Sequence, residues 1–402
     1  MKLFQKKFPP EFVQPLTPCN TAVDRQRATD GSERKRILII RLGAHGDILM
    51  GAPLLTALRK VWPDAHLTWV VERNARDAIE AHPGIDEILL WQSSYWSKIL
   101  RKGHPLFYPL WAFRARALRH ALKARKYDVF ISFQPEEWPF LVADVAAPTS
   151  IGVFDTFRQF YNADTTSHAA RLYTRPFTCD DLPFHRTDQY LLPLKALELP
   201  EATDKRMQMG FTAEDREAVE AFLASQGLLS GQPFVALAPM TTWPSRCWPA
   251  ERFAQLGDLL AERGCGVVLL GSARLQEQEA VTAIAARMNT RPALALGALS
   301  FRQMAALIGR ASALVSGDTG PMHVAAAVGT PYVALFGPTP VAGRAPLVGR
   351  GQALMHPVPC GPCDQKVCPN TGENFMLCMK LLAVEEVFQS VCEMLPARSG
   401  VS

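Results

Sequence analysis

The sequence lacks the apolar segments that membrane insertion or secretion would require. None of its apolar runs approaches the roughly 20 residues needed to span a bilayer, although 48% of the 402 residues are hydrophobic. The basic start of the chain, residues 1–7, is not followed by the apolar core of a signal peptide. We therefore expect a cytoplasmic protein.

The sequence also lacks the cysteine pattern of a secreted, disulfide-bonded protein. It has nine cysteines, an odd number, and five of them follow residue 359. Thiolates at the spacing of these C-terminal cysteines can bind zinc or an iron–sulfur cluster. Alternatively, the cysteines belong to a reduced, loop-rich segment that packs on the second of the two domains predicted below. We predict that the cluster is reduced in the cell and dispensable for the chemical step, because it lies outside the motifs described below. The possible ligands of a structural zinc are Cys360, Cys363, Cys368 and Cys378.

Acidic residues are absent from residues 98–126, which carry nine lysines and arginines. Apolar residues of the predicted helix 109–126 fall on one face, and basic residues surround them, including Arg114, Arg119 and Lys123. One interpretation is a helix that packs on the sheet with a solvated basic face. The other is a surface that receives an anionic lipid or acceptor, and the two interpretations are compatible.

Short apolar runs alternate with helical segments along most of the chain, which predicts parallel sheets covered by helices. We predict an α/β protein with two Rossmann-like domains. Residues 1–34 show no periodicity and are expected to form a flexible leader. The predicted ranges are 35–185 for the first domain, 186–380 for the second with its cysteine-rich segment 360–378, and 381–402 for a C-terminal helix and tail.

A glycine-containing turn follows the first predicted strand and ends in Gly46 and Asp47. Its spacing differs from the G-x-G-x-x-G dinucleotide fingerprint. Asp47 is placed to cap the next helix, predicted from Ile48 to Val61. The alternative is a carboxylate at the carboxyl edge of the sheet, where open α/β folds bind their ligands.

Two further loops, both in the second half, have the composition of phosphate-binding sites. The first follows the strand predicted at 234–238 and contains two hydroxyls and an arginine. The second joins the strand predicted at 313–316 to a helix rich in small residues, whose free N–H groups favour anions. The candidate residues are Thr241, Thr242 and Arg246 in the first loop, and Asp318, Thr319, Gly320 and His323 in the second.

Together these motifs resemble glycosyltransferase family 9, the ADP-heptose:lipopolysaccharide heptosyltransferases. The family pattern T-T-x-x-x-[KR]-x-W-P matches residues 241–249, D-[ST]-G-x-x-H matches residues 318–323, and the G-D turn matches Gly46 and Asp47. The chain departs from the family at Arg246, where lysine is frequent. It also departs at Glu277, which stands two positions later than the acid expected to contact the ribose.

The two Rossmann-like halves predict a GT-B-like fold, in which the two domains face a cleft. The resemblance implies transfer of heptose from a nucleoside-diphosphate sugar to a lipopolysaccharide core. We expect this transfer to be inverting and metal-independent, because the cationic and amide groups of the two phosphate-type loops can replace a metal ion. The resemblance also implies that Asp47 is the general base and that the two later motifs hold the donor. We expect the acceptor to bind the first domain against its basic segment, which places Gly46, Arg114, Arg119 and Lys123 on the acceptor side. The expected partners are a nucleotide sugar, an anionic glycolipid and the inner face of the inner membrane, without nucleic acid. The alternatives are a sugar-nucleotide epimerase and a non-catalytic nucleotide-sugar-binding or metal-sensing protein.

Overall fold

The computed structural model divides the chain into two compact units, with the boundary between Asp204 and Lys205. The residues that it describes are 34–91, 120, 122–133, 145–154, 170–177 and 184–395.

The first unit contains a six-stranded parallel sheet in the order β3-β2-β1-β4-β5-β6. The side chains of Ile37–Ile40 in β1 are almost completely buried, because a central strand of a parallel sheet is covered on both faces. The six strands are Arg36–Ile40 (β1), His66–Glu72 (β2), Glu87–Trp91 (β3), Val129–Ser132 (β4), Thr149–Val153 (β5) and Arg175–Phe177 (β6).

Two helices of the first unit pack against each other, α1 (His45–Val61) and α2 (Arg186–Ala196). Gly51 of α1 permits this approach, because a β-carbon there would lie 3.3 Å from the Trp69 ring and 3.6 Å from the Tyr190 ring. α1 starts three residues before the predicted start at Ile48. The sequence predicts a helix over residues 75–81, but the chain forms a shorter 3₁₀ helix, Arg73–Ala78.

The second unit contains another six-stranded parallel sheet, in the order β12-β11-β10-β7-β8-β9. Both sheets thus have the doubly wound strand order of a Rossmann-like unit, as predicted. The strands are Phe234–Ala238 (β7), Gly266–Gly271 (β8), Ala293–Leu296 (β9), Ala313–Gly317 (β10), Tyr332–Leu335 (β11) and Gly351–Leu354 (β12).

The helices of the second unit cover this sheet and carry local signals that fix their ends. Thr212 caps the first of them, and Gly329, with φ of 85°, ends the helix after β10 in a left-handed conformation that glycine adopts without cost. The helices are Ala213–Ser225 (α3), Ala250–Glu262 (α4), Leu275–Ala285 (α5), Phe301–Arg310 (α6), Gly320–Val328 (α7), Val341–Arg344 (α8), Leu377–Lys380 (α9) and Val384–Met394 (α10).

The boundaries of the units differ from the predicted domain ranges. The predicted border between residues 185 and 186 would separate α2 from the first unit, but α2 packs on α1, just as β6 pairs with β5. At the other end, α10 is part of the second core, since Val384, Val387 and Val391 are buried in it. The second unit therefore begins after Asp204 and includes α10.

Each sheet has a switch point, where the strand order reverses and ligands bind in open α/β folds. In the first sheet it lies between β1 and β4, and in the second between β7 and β10. Asp47 follows β1, whereas the two phosphate-type loops follow β7 and β10. The candidate residues are thus at the carboxyl ends of the strands that flank the switch points.

Candidate functional site

Asp47 is the third residue of α1 and is held by three groups. Its carboxylate forms an ion pair with Arg41 (N–O distance 2.8 Å), accepts a hydrogen bond from the Tyr190 hydroxyl (3.0 Å), and accepts one from the backbone N–H of Ala44 (3.3 Å). The prediction that Asp47 is the N-cap is wrong, because α1 begins earlier and Ala44 occupies that position. The carboxylate nevertheless satisfies the N–H of the cap residue.

The surroundings of Asp47 keep its carboxyl group ionised. Burial alone raises the pKa of Asp47, but the charges of Arg41 and Arg186 and the hydrogen bonds from Arg41 and Tyr190 outweigh burial and lower the pKa to about 2. At neutral pH the group is therefore a negatively charged carboxylate in a fixed position.

The two residues that precede Asp47 are the first two of α1. Gly46 is the second residue of α1 and is partly buried. The ring of His45 donates from Nε2 to the carbonyl oxygen of Asn74 (2.8 Å), and burial lowers the pKa of His45 despite this contact and the nearby Asp77. His45 is thus a neutral imidazole at pH 7.

The predicted basic surface is only partly within the described residues. Lys123 is exposed, as predicted, whereas Arg114 and Arg119 lie outside the described residues. Arg125, which also belongs to the basic segment 98–126, pairs with Glu87 (N–O distance 2.7 Å). Leu122 is fully buried, in agreement with the predicted apolar face of this segment.

The loop after β7 forms a compact turn. The Thr241 hydroxyl donates to the carbonyl oxygen of Trp243 (2.6 Å) and accepts from its N–H (3.2 Å), so it shapes the loop. Thr242 is exposed. The indole of Trp248 is buried and donates to the carbonyl oxygen of Leu382 (3.0 Å), which makes the tryptophan of this motif a core residue.

Arg246 and Asp318 connect the two phosphate-type loops. They form an ion pair with an N–O distance of 3.2 Å, and Arg246 also donates to the backbone carbonyl of Asp318 (3.2 Å). The Thr339 hydroxyl donates to the same carboxylate (2.8 Å). Asp318 is 4% exposed, so its carboxylate points into the protein and acts by holding Arg246. Gly317 permits the close approach, since a β-carbon there would lie 3.0 Å from the carbonyl oxygen of Arg246.

The helix α7 begins directly after this pair. Thr319 is its N-cap residue in an extended conformation, and Gly320 and Pro321 form the first turn. A β-carbon at Gly320 would meet no atom within 4 Å, and Pro321 has no N–H that needs a partner, so the approach to the helix N-terminus is open. His323 is buried in the same turn.

Glu277, the acid that stands two positions later than in the family pattern, still contacts the turn after β8. Its carboxylate accepts hydrogen bonds from the backbone N–H of Ser272 (3.1 Å) and from the Ser272 hydroxyl. Glu277 is therefore located at the carboxyl edge of the strand next to β7, even though its position in the sequence departs from the family pattern.

The four predicted zinc ligands line one small cavity of about 30 Å³. The Cys360 sulfur accepts a hydrogen bond from the Asn370 side chain (3.3 Å), and the Cys368 sulfur accepts one from the Met376 N–H (3.4 Å). Burial raises the pKa of Cys378, and the three neighbouring thiols raise it further. Within the described part of the chain, no three metal-ligating side chains are placed to hold an ion, so the zinc site stays a prediction.

The cysteine-rich segment also contacts the first phosphate-type loop. The Ser245 hydroxyl donates to the carbonyl oxygen of Gln365 (2.6 Å), and the Ser245 N–H donates to that of Lys366 (3.3 Å). The cysteine cluster lies outside the phosphate-type motifs in the sequence. In the structure, the backbone of its segment supports Ser245, the residue next to Arg246.

The two parallel sheets, with these loops at their switch points, define a GT-B-like α/β protein. Residues 115–373 match the family model described as glycosyltransferase family 9 (heptosyltransferase). This match covers more than half of the sequence, and the chain therefore belongs to glycosyltransferase family 9. Its activity is accordingly that of a glycosyltransferase.

Known proteins agree with this assignment. The chain is 29% identical to lipopolysaccharide heptosyltransferase 1 of Pseudomonas aeruginosa, over 83% of this chain and 87% of that protein. A glycosyltransferase family 9 structure from Veillonella parvula aligns with a TM-score of 0.73 and 24% identity, over 90% and 97% of the two chains. The Escherichia coli heptosyltransferase WaaC with ADP aligns with a TM-score of 0.65 and 23% identity, over 89% and 99%. No helix among the described residues is long and apolar enough to cross a membrane.

Proposed function

We propose that the protein transfers a heptose from ADP-heptose to the inner core of a lipopolysaccharide acceptor, with inversion at the anomeric carbon and without a catalytic metal ion. The observation that carries this proposal is the family match, which spans both phosphate-type loops. The similarity to a lipopolysaccharide heptosyltransferase supports the acceptor class, and the similarity to WaaC with ADP supports the nucleotide.

The proposed reaction is a single displacement. The acceptor hydroxyl oxygen forms a bond to the anomeric carbon while the bond from that carbon to the β-phosphate oxygen breaks. The hydroxyl proton passes to Asp47, and ADP leaves with the bonding electron pair. Attack opposite to the leaving group inverts the anomeric configuration.

The low pKa of Asp47 is compatible with the role of base in this displacement. A hydroxyl oxygen becomes strongly acidic once its bond to the anomeric carbon has largely formed. A weak base therefore suffices if proton transfer occurs late. Arg41 and Tyr190 keep the Asp47 carboxylate charged and hold it in a fixed orientation.

Arg246 and the N-terminus of α7 are proposed to stabilise the leaving diphosphate. Arg246 is fixed by Asp318, and the N–H groups after Thr319 are oriented by the helix. A fixed guanidinium and aligned amides stabilise developing negative charge without reorganisation. These groups can take the place of a magnesium ion, which is why we propose metal independence.

The acceptor is proposed to approach the first unit from the membrane. A lipopolysaccharide core is anionic. The segment 98–126, with Arg114, Arg119 and Lys123, contains basic residues and no acidic ones. We propose peripheral association with the cytoplasmic face of the inner membrane. Sedimentation with anionic vesicles, but not with neutral vesicles, would support this location, and equal sedimentation with both would contradict it.

The experiment that tests the function supplies the purified protein with ADP-heptose and a heptose-deficient lipopolysaccharide core. We expect acceptor-dependent release of ADP, a product one heptose heavier by mass spectrometry, and an inverted linkage by NMR, all unchanged by EDTA. Epimerised sugar nucleotide without acceptor would indicate the epimerase alternative. Binding without turnover would indicate a non-catalytic protein.

A further inference from the structure

Two guanidinium groups lie against the Trp243 ring in the second unit. The Cζ atom of Arg246 is 3.8 Å from the ring centroid, and that of Arg344 is 6.0 Å from it. The two groups are close enough to affect each other. Burial lowers the pKa of Arg246, the charge of Asp318 raises it, and the charge of Arg344 lowers it again. Two like charges at such proximity are unfavourable unless anions compensate them.

The anions that compensate them differ in how firmly they are held. Arg246 and its partner Asp318 have side chains that are 10% and 5% exposed, and Thr339 fixes the carboxylate. Arg344 pairs with Asp364 at an N–O distance of 3.1 Å, but the Asp364 side chain is 43% exposed. A partly solvated carboxylate is replaced at little cost, whereas removing Asp318 would leave a buried charge uncompensated.

The position of this second pair relates it to the diphosphate. Arg344 ends α8, which follows β11, the strand next to β10, and it shares Trp243 with the arginine that we assign to the diphosphate. The N–H of Asp364 donates to the carbonyl oxygen of Pro338 (2.7 Å), so the backbone of this residue stays anchored when its side chain turns away.

We propose that Arg344 is a second phosphate-binding residue, which exchanges the Asp364 carboxylate for the diphosphate of the bound nucleotide. This inference rests on the proposed function for the identity of the ligand. Arg246 then supplies a permanent positive charge, while Arg344 supplies one that the unliganded protein neutralises. The exchange also couples the nucleotide to the segment 360–378, because Asp364 follows Cys363 directly.

The test compares Arg344→Ala with Asp364→Asn, which break the same ion pair from opposite sides. Binding of ADP and of AMP is measured by isothermal titration calorimetry, and thermal stability is measured in parallel. We expect Arg344→Ala to weaken ADP binding by about 10- to 100-fold, the loss of a charge-assisted hydrogen bond, and to weaken AMP binding less. We expect Asp364→Asn to bind ADP as tightly as the wild type or more tightly, because the competing anion is gone. Arg344→Lys should retain part of the affinity.

Two results would overturn the proposal. If both variants weaken ADP binding equally, the ion pair is structural and Arg344 does not contact the nucleotide. If Arg344→Ala binds ADP like the wild type, the residue is outside the site. The readout is independent of turnover, so Arg344-dependent ADP binding without heptose transfer would contradict the proposed function and leave this inference intact. Absence of ADP binding by the wild type would contradict both.

Discussion

At the scale of single residues, the protein fixes its charged groups in pairs. Asp47 is held by Arg41 and Tyr190, and Arg246 is held by Asp318. Asp47 and Arg246 are the proposed reacting and binding groups, and their partners restrict their motion. Substitution of either member therefore has two effects, one on chemistry and one on stability, and an experiment has to separate them.

Asp47→Asn is expected to reduce kcat by roughly 10²- to 10⁴-fold with little change in ADP binding, because the proton acceptor is lost. The side-chain oxygen of asparagine can still accept from the Ala44 N–H, so the fold should persist. Steady-state kinetics with calorimetric binding of ADP checks both parts. A folded variant with full activity would exclude Asp47 as the base, and His45 would be the next candidate.

The pH dependence of stability follows from the lowered pKa of Asp47. Since the pKa is about 2 in the folded protein and near its ordinary value of 3.8 in the unfolded chain, the charge stabilises the fold fully above pH 4. That contribution disappears as the pH falls from about 4 to 2. The difference in Tm between the wild type and Asp47→Asn should therefore shrink over this interval and stay constant between pH 5 and 7. For the same reason, the kcat profile should show no acidic limb from Asp47 above pH 4.

Arg246→Ala is expected to weaken ADP binding by about 10- to 100-fold, equivalent to about 1.5–3 kcal/mol for a charge-assisted contact. It should also lower the Tm, because it leaves the Asp318 carboxylate buried without its partner. Arg246→Lys should be milder in both respects.

The double variant Arg246→Ala/Asp318→Asn separates the two effects of the arginine. It should recover most of the stability lost in Arg246→Ala, since no buried charge is left unpaired, and none of the affinity. Recovery of ADP binding in the double variant would show that Arg246 acts only as a structural partner of Asp318.

At the scale of elements, the cysteine-rich segment 360–378 contributes more than its sequence indicates. Its thiols share one cavity, its backbone receives both hydrogen bonds of Ser245, and its Asp364 pairs with Arg344. The segment therefore supports the first phosphate-type loop through its backbone. The cysteines were predicted to be dispensable for the chemical step. Given this position of the segment, that prediction does not extend to donor binding.

Replacement of Cys360, Cys363, Cys368 and Cys378 by serine is expected to leave kcat within about threefold while raising the KM for the donor, because the support of the loop is loosened. Kinetics on the quadruple variant, together with elemental analysis of the wild type, tests this. One tightly held metal per chain, with kcat abolished on its removal, would contradict the prediction.

At the scale of the whole molecule, both units repeat one plan, a doubly wound parallel sheet with its ligand-type residues at the switch point. The first described strand starts at Arg36, and Arg34 binds the backbone carbonyl of Asp64 and the carboxylate of Asp86. Among the residues that the structure describes, Arg34 thus already contributes contacts to the first unit.

A protein that starts at Ser32 retains these contacts, and we expect it to keep the stability and turnover of the full chain, within about twofold. Tm and kcat/KM with soluble donor and acceptor check this expectation. Loss of turnover with donor binding intact would assign the leader a role in catalysis or acceptor binding.

The parts of this architecture that the sequence predicted well are those with strong local signals. The strand predicted at 234–238 matches β7 to the residue, because it is an apolar run bounded by turn residues. β6 was missed because its three residues, Arg175–Phe177, are exposed or half-buried and carry no apolar pattern. α2 was missed because it begins with polar residues and contains Pro193, which is typical of a helix end.

The sequence predicted which residues form the candidate site more successfully than it predicted the contacts between them. The motifs place Arg246 and Asp318 at the correct strand ends, but the sequence does not show that they bind each other, since they stand 72 positions apart. The contribution of Tyr190 and Arg344 was missed for the same reason. Neither belongs to a motif, and each meets the site only through the tertiary fold.

The burial of α10 in the second core has a consequence for how the chain is made. The sheet of this unit begins with β7, yet its core stays incomplete until Val387 and Val391 are in place and Leu382 can accept the indole N–H of Trp248. On the ribosome, the first unit can fold while synthesis continues, but the second must wait until almost all of it has left the exit tunnel. During that interval, its apolar strands are exposed and therefore prone to aggregation.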